Sequence, residues 1–470
     1  MAEPHWAPLD SEDYKLFHQA ADEGDTQRLA TLVKDRSIDL NALYGGGIDG
    51  RTLLHEAAAH GREDTIIFLL DHGVAVDVLD SDQFGCTTPL FHAARNVKYE
   101  AIRILLEAGA DINVKGPNDS TVGSALLPDA VKVTEDHIRC MELLLDWGFD
   151  VNARASEYGA TVVQLEQAVK AGSHPLIEML LDEGANLDGS LHVAAEFHQS
   201  PDTIHFLINR GAKDPHSHAL TRAVCWNKSE IGRALLARSS EFASDPKSSN
   251  ALPMAARMAH LDMVDLLLDH GLEIDRVDDL GQTALMAACG ANQPSGPIVQ
   301  ILLRRGASVN AKSLGVPGTP YQADDTPLHA AAWRSHPDIV RELLRAGADL
   351  TSRNAGGETP LMKFARNITG QTIQTSGSKR ILYAFCLLLE AGSDVNARNS
   401  QGRTALHIIA ANHFLDTEQN RLKASEILLA EGADRSTRDS EGKLAADLLK
   451  PKDAQMRQLL DENAHASGTS

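Results

Sequence analysis

Thr326-Pro327-Leu328-His329-Ala330-Ala331-Ala332 is the stretch on which the fold is decided. Threonine can cap a helix and proline suits its first turn, where no amide needs a partner. The alanines behind them remove side-chain bulk from one helix face, which is useful only where another helix approaches closely. The pattern returns as Arg51-Thr52-Leu53-Leu54-His55, Thr88-Pro89-Leu90, Thr283-Ala284-Leu285, Thr359-Pro360-Leu361 and Thr404-Ala405-Leu406-His407. Small pairs follow at Ala57-Ala58, Ala93-Ala94, Ala194-Ala195 and Ala255-Ala256.

A second helix is expected behind each first one. Leucine pairs close it at Leu69-Leu70, Leu105-Leu106, Leu144-Leu145, Leu180-Leu181, Leu267-Leu268, Leu302-Leu303, Leu343-Leu344, Leu388-Leu389 and Leu428-Leu429, and both members are expected to bury between neighbours. Glycine stands three residues beyond each pair, from Gly73 and Gly109 to Gly392 and Gly432, where a helix end favours a left-handed residue. Between Gly211 and Gly271, Ser239 takes that slot.

Through T-P-L-H-x-A-A and L-L-x-x-G-A-D-V-N the chain resembles the ankyrin-repeat family, whose period is about 33 residues. The resemblance runs from Asp13 to Asn463 and comprises twelve helix pairs and a terminal unit. It implies an all-α solenoid of antiparallel helix pairs with short β-turn fingers, curved, with fingers and first helices on the concave side. The expected organisation is an extension over 1–12, repeats over 13–188, short degenerate repeats over 189–250, repeats with inserted loops over 251–439, a capping unit over 440–464 and a polar tail over 465–470. A break in the array is expected near 189–250. The insertions are placed at Ser313 to Asp325, Asn367 to Lys379 and Asn412 to Arg421.

Composition narrows the function. The chain of 470 residues carries 44 Lys and Arg against 65 Asp and Glu, a net charge of −21 that repels phosphate backbones and anionic membranes. No nucleic-acid or membrane partner is expected. The longest apolar run, Ile381 to Leu389, is far below the roughly 18 residues that span a bilayer. Cys86, Cys140, Cys225, Cys289 and Cys386 show no C-x-x-C pairing and read as reduced thiols. With no apolar leader at the start, the expected compartment is the cytoplasm, the nucleus remaining open.

No H-E-x-x-H, G-x-S-x-G, P-loop or dinucleotide glycine motif is present, so no catalytic residue, metal ligand or cofactor is expected. His18, His55, His192, His329 and His407 occupy the family's structural histidine position. Asn113, Asn152 and Asn396 end strings resembling the site of asparagine hydroxylases, and also coincide with the family's ordinary turn residues.

What remains is binding. In the family, the two residues after each small pair point into the concavity. Here these rows hold Arg95, Lys132, Lys170, Phe197, Trp226, Arg257, Met258, Trp333, Arg334 and Arg366, a basic and aromatic set in an acidic chain. Trp and Arg are enriched at interface hot spots. The alternative places Phe197, Trp226 and Met258 in the core through a slipped register. The expected role is a scaffold or inhibitor, monomeric when free, holding a protein segment with acidic and apolar residues. The other readings are the substrate-recognition subunit of a larger complex such as a ubiquitin ligase, or an enzyme with a site on the inserted loops.

Overall fold

The computed structural model describes residues 16, 19–21, 23–36, 40–41, 50–80, 86–128, 132–157, 160–214, 218–237, 250–317, 322–367, 377–412, 418–451 and 453–461. They form two compact bodies, Met1–Asp214 and Pro215–Ser470. The boundary lies within the segment read above as degenerate, 189–250.

The N-terminal body begins with the helix Thr26–Arg36 and continues with helix pairs Leu53–His60 with Glu63–Asp71, Pro89–Arg95 with Tyr99–Glu107, Val122–Leu126 with Glu135–Asp146, Gln164–Ala171 with His174–Asp182, and Ser190–Phe197 with Asp202–Asn209. The C-terminal body carries His218–Cys225 with Ser229–Leu236, Ala251–Arg257 with Leu261–Asp269, Ala284–Cys289 with Gly296–Arg304, Pro327–Arg334 with Pro337–Arg345, Pro360–Asn367 with Gly377–Glu390, and Ala405–Ala411 with Glu418–Ala430. A terminal unit follows, a 3-10 turn Ala445–Leu448 and a helix Ala454–Asp461. Within each body first helices pack on first helices and second on second, the pattern of an all-α repeat solenoid. Its one sheet among the described residues is a two-stranded antiparallel finger, Ala155–Glu157 with Ala160–Val162.

The alanine pairs are fully buried, as close helix approach requires. The leucine pairs behave differently from expectation. Leu69, Leu144, Leu180, Leu267, Leu302, Leu343 and Leu428 are fully buried, whereas Leu70, Leu145, Leu181, Leu268, Leu303, Leu344 and Leu429 are only half-buried. Consecutive helical residues are turned about 100° apart, so one of the two faces the core and its neighbour lies at the rim. Only Leu105-Leu106 and Leu388-Leu389 bury both. Each fully buried leucine contributes about 1.5–3 kcal/mol of transfer free energy. At the end of Glu63–Asp71, Gly73 adopts φ 82° while its amide donates to Leu70 O and Val74 N donates to Leu69 O. That closure satisfies two helix-terminal carbonyls.

Successive fingers are tied by a ladder of side-chain to backbone bonds. Asn41 Oδ1 accepts from Ala75 N at 3.1 Å, Asn152 Oδ1 from Asn186 N at 2.9 Å, Asn310 Oδ1 from Asp349 N at 2.9 Å and Asn396 Oδ1 from Asp434 N at 2.8 Å. Asp77 and Asp275 hold Asp111 N and Ser308 N in the same way.

Some residues read as inserted turn belong to helices. Asn367 closes the helix Pro360–Asn367 and Gly377 begins the next, and residues 368–376 between them lie outside the described residues. Arg421 lies within the helix Glu418–Ala430, not in a loop. Of the finger Ser313 to Asp325, residues 318–321 fall outside the described set, as do His18 and Ser239.

Candidate binding surface and a buried histidine cluster

Phe197, Trp226 and Met258 occupy the same place in three units, at or directly after the last residue of a first helix. They are 52%, 60% and 45% exposed. The buried alternative is therefore not what is found. In the N-terminal body Lys170 Nζ stands 5.2 Å from the centroid of the Phe197 ring, a cation–π arrangement between neighbouring helices. In the C-terminal body Trp226 and Met258 belong to adjacent, packed first helices, and Cys225 Sγ lies 3.2 Å from Met254 Sδ between them.

The basic residues divide into two groups. Arg95 is exposed at the end of its helix. Lys132 is also exposed, but it lies just ahead of Thr134, the cap of the second helix Glu135–Asp146. This unit's first helix ends at Leu126, too early to carry Lys132, which corrects its assignment to the helix-one row. Others are engaged within the chain. Arg257 Nη2 donates to Asp278 Oδ2 at 2.6 Å and Gln282 Oε1 at 3.0 Å, Arg334 Nε donates to Gly290 O at 3.0 Å, and Arg366 pairs with the buried Glu358. Trp333 is half-buried, with Lys363 Nζ 5.6 Å from its ring centroid and Asn367 donating to its carbonyl.

Two of these tethers, from Arg334 and Asn367, follow one logic. The last carbonyls of a helix lack internal partners, and here a side chain from the next unit supplies one. His260 bonds Val224 O, His336 bonds Ala291 O at 2.9 Å and Asn412 bonds Arg366 O at 2.7 Å. The sequence reading missed this role for Arg334, Asn367 and Asn412.

The structural histidines read out directly. Thr326 N and Oγ1 meet His329 Nδ1 at 3.1 and 2.9 Å, and His329 Nε2 donates to Glu358 O of the next unit at 3.0 Å. His407 does the same toward Lys443 O and His55 toward Thr87 O. Because a backbone N–H points at Nδ1, that nitrogen accepts and Nε2 carries the proton. His192 departs from the set: its unit has Gly189 at the cap, and its Nε2 meets Glu196 Oε2 at 3.3 Å. His137, on a second helix, makes the Thr–His pair with Thr134 at 2.7 Å. Asn152 and Asn396 each donate to a glycine carbonyl, Gly184 O and Gly432 O, at 3.0 Å while accepting from the next finger, the work of turn residues.

One grouping was not legible in advance. In the unit that opens Thr88-Pro89-Leu90, Phe91 stands where its counterparts carry histidine, and His92 follows it. Thr88 Oγ1 is consequently buried without a hydrogen-bond partner among the described residues. His92 instead turns its Nε2 to Asp80 Oδ2 at 2.8 Å, and Thr87 Oγ1 donates to the same oxygen at 2.8 Å. His55 packs edge-on to His92, ring centroids 5.2 Å apart. The ligand atoms of His55, Asp80 and His92 lie within 4.8 Å of one another, and all three residues are buried. Burial, reinforced by His92, pushes the His55 imidazole down to about 3. Burial alone would raise the Asp80 carboxyl, but the bonds from His92 and Thr87 hold it below its ordinary value.

A three-copy model of ankyrin repeats matches residues 17–116, 191–278, 220–313 and 273–354. The chain belongs to the ankyrin-repeat family. Its relatives include the transient receptor potential cation channel subfamily A member 1 of Homo sapiens, 23% identical over 354 residues that cover 75% of this chain and 26% of the channel. The B-cell lymphoma 3 protein homolog of Mus musculus is 32% identical over 173 residues, 34% of this chain and 36% of the relative. Ankyrin repeat and SOCS box protein 11 of Danio rerio is 36% identical over 124 residues, 26% of this chain and 39% of the relative. Each match thus spans well under half of the relative's own length. Ankyrin repeats bind other proteins, and no described helix is long and apolar enough to cross a membrane.

Proposed function

We propose that this ankyrin array is a scaffold or inhibitor that holds one protein segment against the C-terminal ends of its first helices. The observation that carries the reading is the exposure of Phe197, Trp226 and Met258 at one repeated position while the alanines behind them are buried. Large apolar side chains left in water are costly unless something covers them, and Trp is enriched among hot spots. Arg95, Lys132 and Lys170 add positive charge in the N-terminal body, whereas in the C-terminal body Arg257 and Arg366 are paired with Asp278 and Glu358 and Arg334 is hydrogen-bonded to Gly290 O. The partner class is a segment combining acidic and apolar residues.

Affinity purification from the native cell would identify the partner. Trp226→Ala should then weaken its binding at least about 30-fold, the equivalent of roughly 2 kcal/mol at a hot spot, with fold stability little changed. Unchanged affinity in Trp226→Ala and Phe197→Ala alike would remove the helix ends as the site.

A second reading is that the array recognises substrates for a ubiquitin ligase. It is favoured by the likeness, 28% identical over 166 residues, to a relative named as an E3 ubiquitin-protein ligase, KEG of Arabidopsis thaliana. Co-purification of ligase subunits, and ubiquitylation of the captured partner that depends on this chain, would select it over a simple inhibitor.

A further inference from the structure

Fingers of the C-terminal body lie side by side and are bonded to one another through the backbone. Leu314 N donates to Gly281 O at 3.0 Å, Ala355 N to Ala323 O at 2.8 Å, Ser400 N to Gly356 O at 3.1 Å and Ser440 N to Gln401 O at 2.9 Å. Each finger also closes on itself, where Ser313 N donates to Asp325 O, Asn354 N to Glu358 O, Asn399 N to Arg403 O and Asp439 N to Lys443 O. The residue directly before that closure is basic in all of these units: Lys312, Arg353, Arg398 and Arg438, each exposed. In a chain of net charge −21 the row is a local reversal of sign.

The three arginines of the row differ from those set deeper in the body. Arg257, Arg366 and Arg403 are paired with the buried carboxylates of Asp278, Glu358 and Asp439. Arg353 instead donates to Gly357 O at 2.8 Å and Arg398 O at 2.6 Å, Arg398 to Gly402 O at 3.2 Å and Arg438 O at 2.8 Å, and Arg438 to Gly442 O at 2.8 Å. Carbonyl oxygens hold the guanidinium groups in place without cancelling their charge. Among the described residues no carboxylate stands within ion-pair distance of these three. Lys312 has Asp324 at 3.5 Å, an exposed pair that water screens.

We propose that this row is a docking edge for an extended acidic segment of a partner protein, its carboxylates received by the guanidinium groups of Arg353, Arg398 and Arg438. A guanidinium has five N–H donors in a planar fork that matches a carboxylate, so each arginine keeps donors beyond those its carbonyls use. Being already held, the side chains lose little freedom when a segment binds. Spacing sets the register. Packed helices stand about 8–10 Å apart, and an extended chain advances about 3.3 Å per residue, so a carboxylate is wanted at about every third position. Leu314, 65% exposed and two residues beyond Lys312, favours an apolar residue at that end of the segment. The edge does not depend on the helix ends that carry Trp226 and Met258.

The test uses the full chain and fluorescence anisotropy with two labelled peptides of equal composition. One has glutamate at every third position with serine and glycine between; the other has the same glutamates in one block. Wild type should bind the spaced peptide several-fold tighter than the block, and less tightly as salt rises. Arg353→Gln, Arg398→Gln and Arg438→Gln keep an N–H donor for the carbonyl and remove the charge. Each should weaken the spaced peptide about 2–5-fold, as loss of an exposed ion pair does, and the triple variant at least about tenfold. Trp226→Ala should leave this affinity unchanged; a loss there would assign the peptide to the helix ends and overturn the edge. So would equal affinity of wild type and a triple variant whose melting curve shows it folded, or failure of wild type to bind at low salt. The peptide comparison needs no variant, and equal binding of the two peptides would overturn the extended register. A labelled oligothymidylate bound as tightly as the spaced peptide would overturn the choice of carboxylate.

Discussion

Arg421 and Asp453 face one another with both side chains buried, Nη1 3.2 Å from Oδ1, and the same guanidinium donates to Ile409 O at 3.1 Å and Ala410 O at 2.9 Å. One arginine therefore closes the last first helix, belongs to the last second helix and grips the terminal unit. Asp453→Ala leaves that guanidinium buried without its counter-ion. Breaking a buried pair from one side costs about 3–5 kcal/mol. Denaturant unfolding should show the loss, and deletion of 442–470 should reproduce it with aggregation; a monomeric truncation with the parent's midpoint would mean that this unit is not a cap.

Thr88 and Thr326 sit at the same cap position but in different circumstances. Thr326 is paired with His329, while Thr88 Oγ1 lacks a partner. Replacing both by valine separates the two. Thr326→Val should cost about 1–2 kcal/mol, whereas Thr88→Val removes an unsatisfied buried hydroxyl and should fall within about 0.5 kcal/mol of neutral. Equal losses in chemical denaturation would show that the histidine adds nothing to the cap.

Acid should weaken the array well before its carboxylates titrate. Burial holds His55 near 3 and lowers His329, His407 and His137 from their ordinary value. In the unfolded chain these imidazoles take up protons below about pH 6.5. Stability is therefore complete above that pH and declines as the pH falls toward the folded values, at up to about 1.4 kcal/mol per pH unit for His55. Urea midpoints measured at pH 8, 7, 6 and 5 should be level over the first two and then drop. His55→Gln should flatten the descent; a curve unaffected by it would contradict the assignment.

Charge reversal at Arg95 should act on rate. Arg95 is exposed, and residues of that kind steer encounter with a partner. Arg95→Glu should slow association with the captured partner several-fold at low salt, and the difference should shrink at higher ionic strength. Stopped-flow or surface-binding kinetics at two salt concentrations decide it. A change confined to dissociation would place Arg95 inside the interface instead of at its rim.

Helix pairs, their glycine ends and the buried alanines were legible because each follows from a local rule repeated along the chain. The half-burial of Leu70, Leu145 and Leu181 required only the helical angle between consecutive residues. Arg257 and Arg366 were harder, since their partners Asp278 and Glu358 become neighbours only when fingers fold back. Asp80 with His92 was hidden for another reason: a one-place shift from Phe91 to His92 takes the imidazole off its cap and onto the finger. The doubled imidazole at His55 and His92, set against the cations of the other units, was the available signal.

The finger ladder also settles what the inserted stretches can do. One kind of bond spans 33 residues between Asp275 and Ser308, 34 between Asn152 and Asn186, 38 between Asn396 and Asp434 and 39 between Asn310 and Asp349. Contour length is thus decoupled from spacing: the number of residues between rungs grows while the rungs keep the same hydrogen-bond length. Such a scaffold can lengthen a single finger, as between Ser313 and Asp325, without retuning any neighbour, which makes these stretches natural places for a lineage to trial new sequence or for an engineer to graft a peptide.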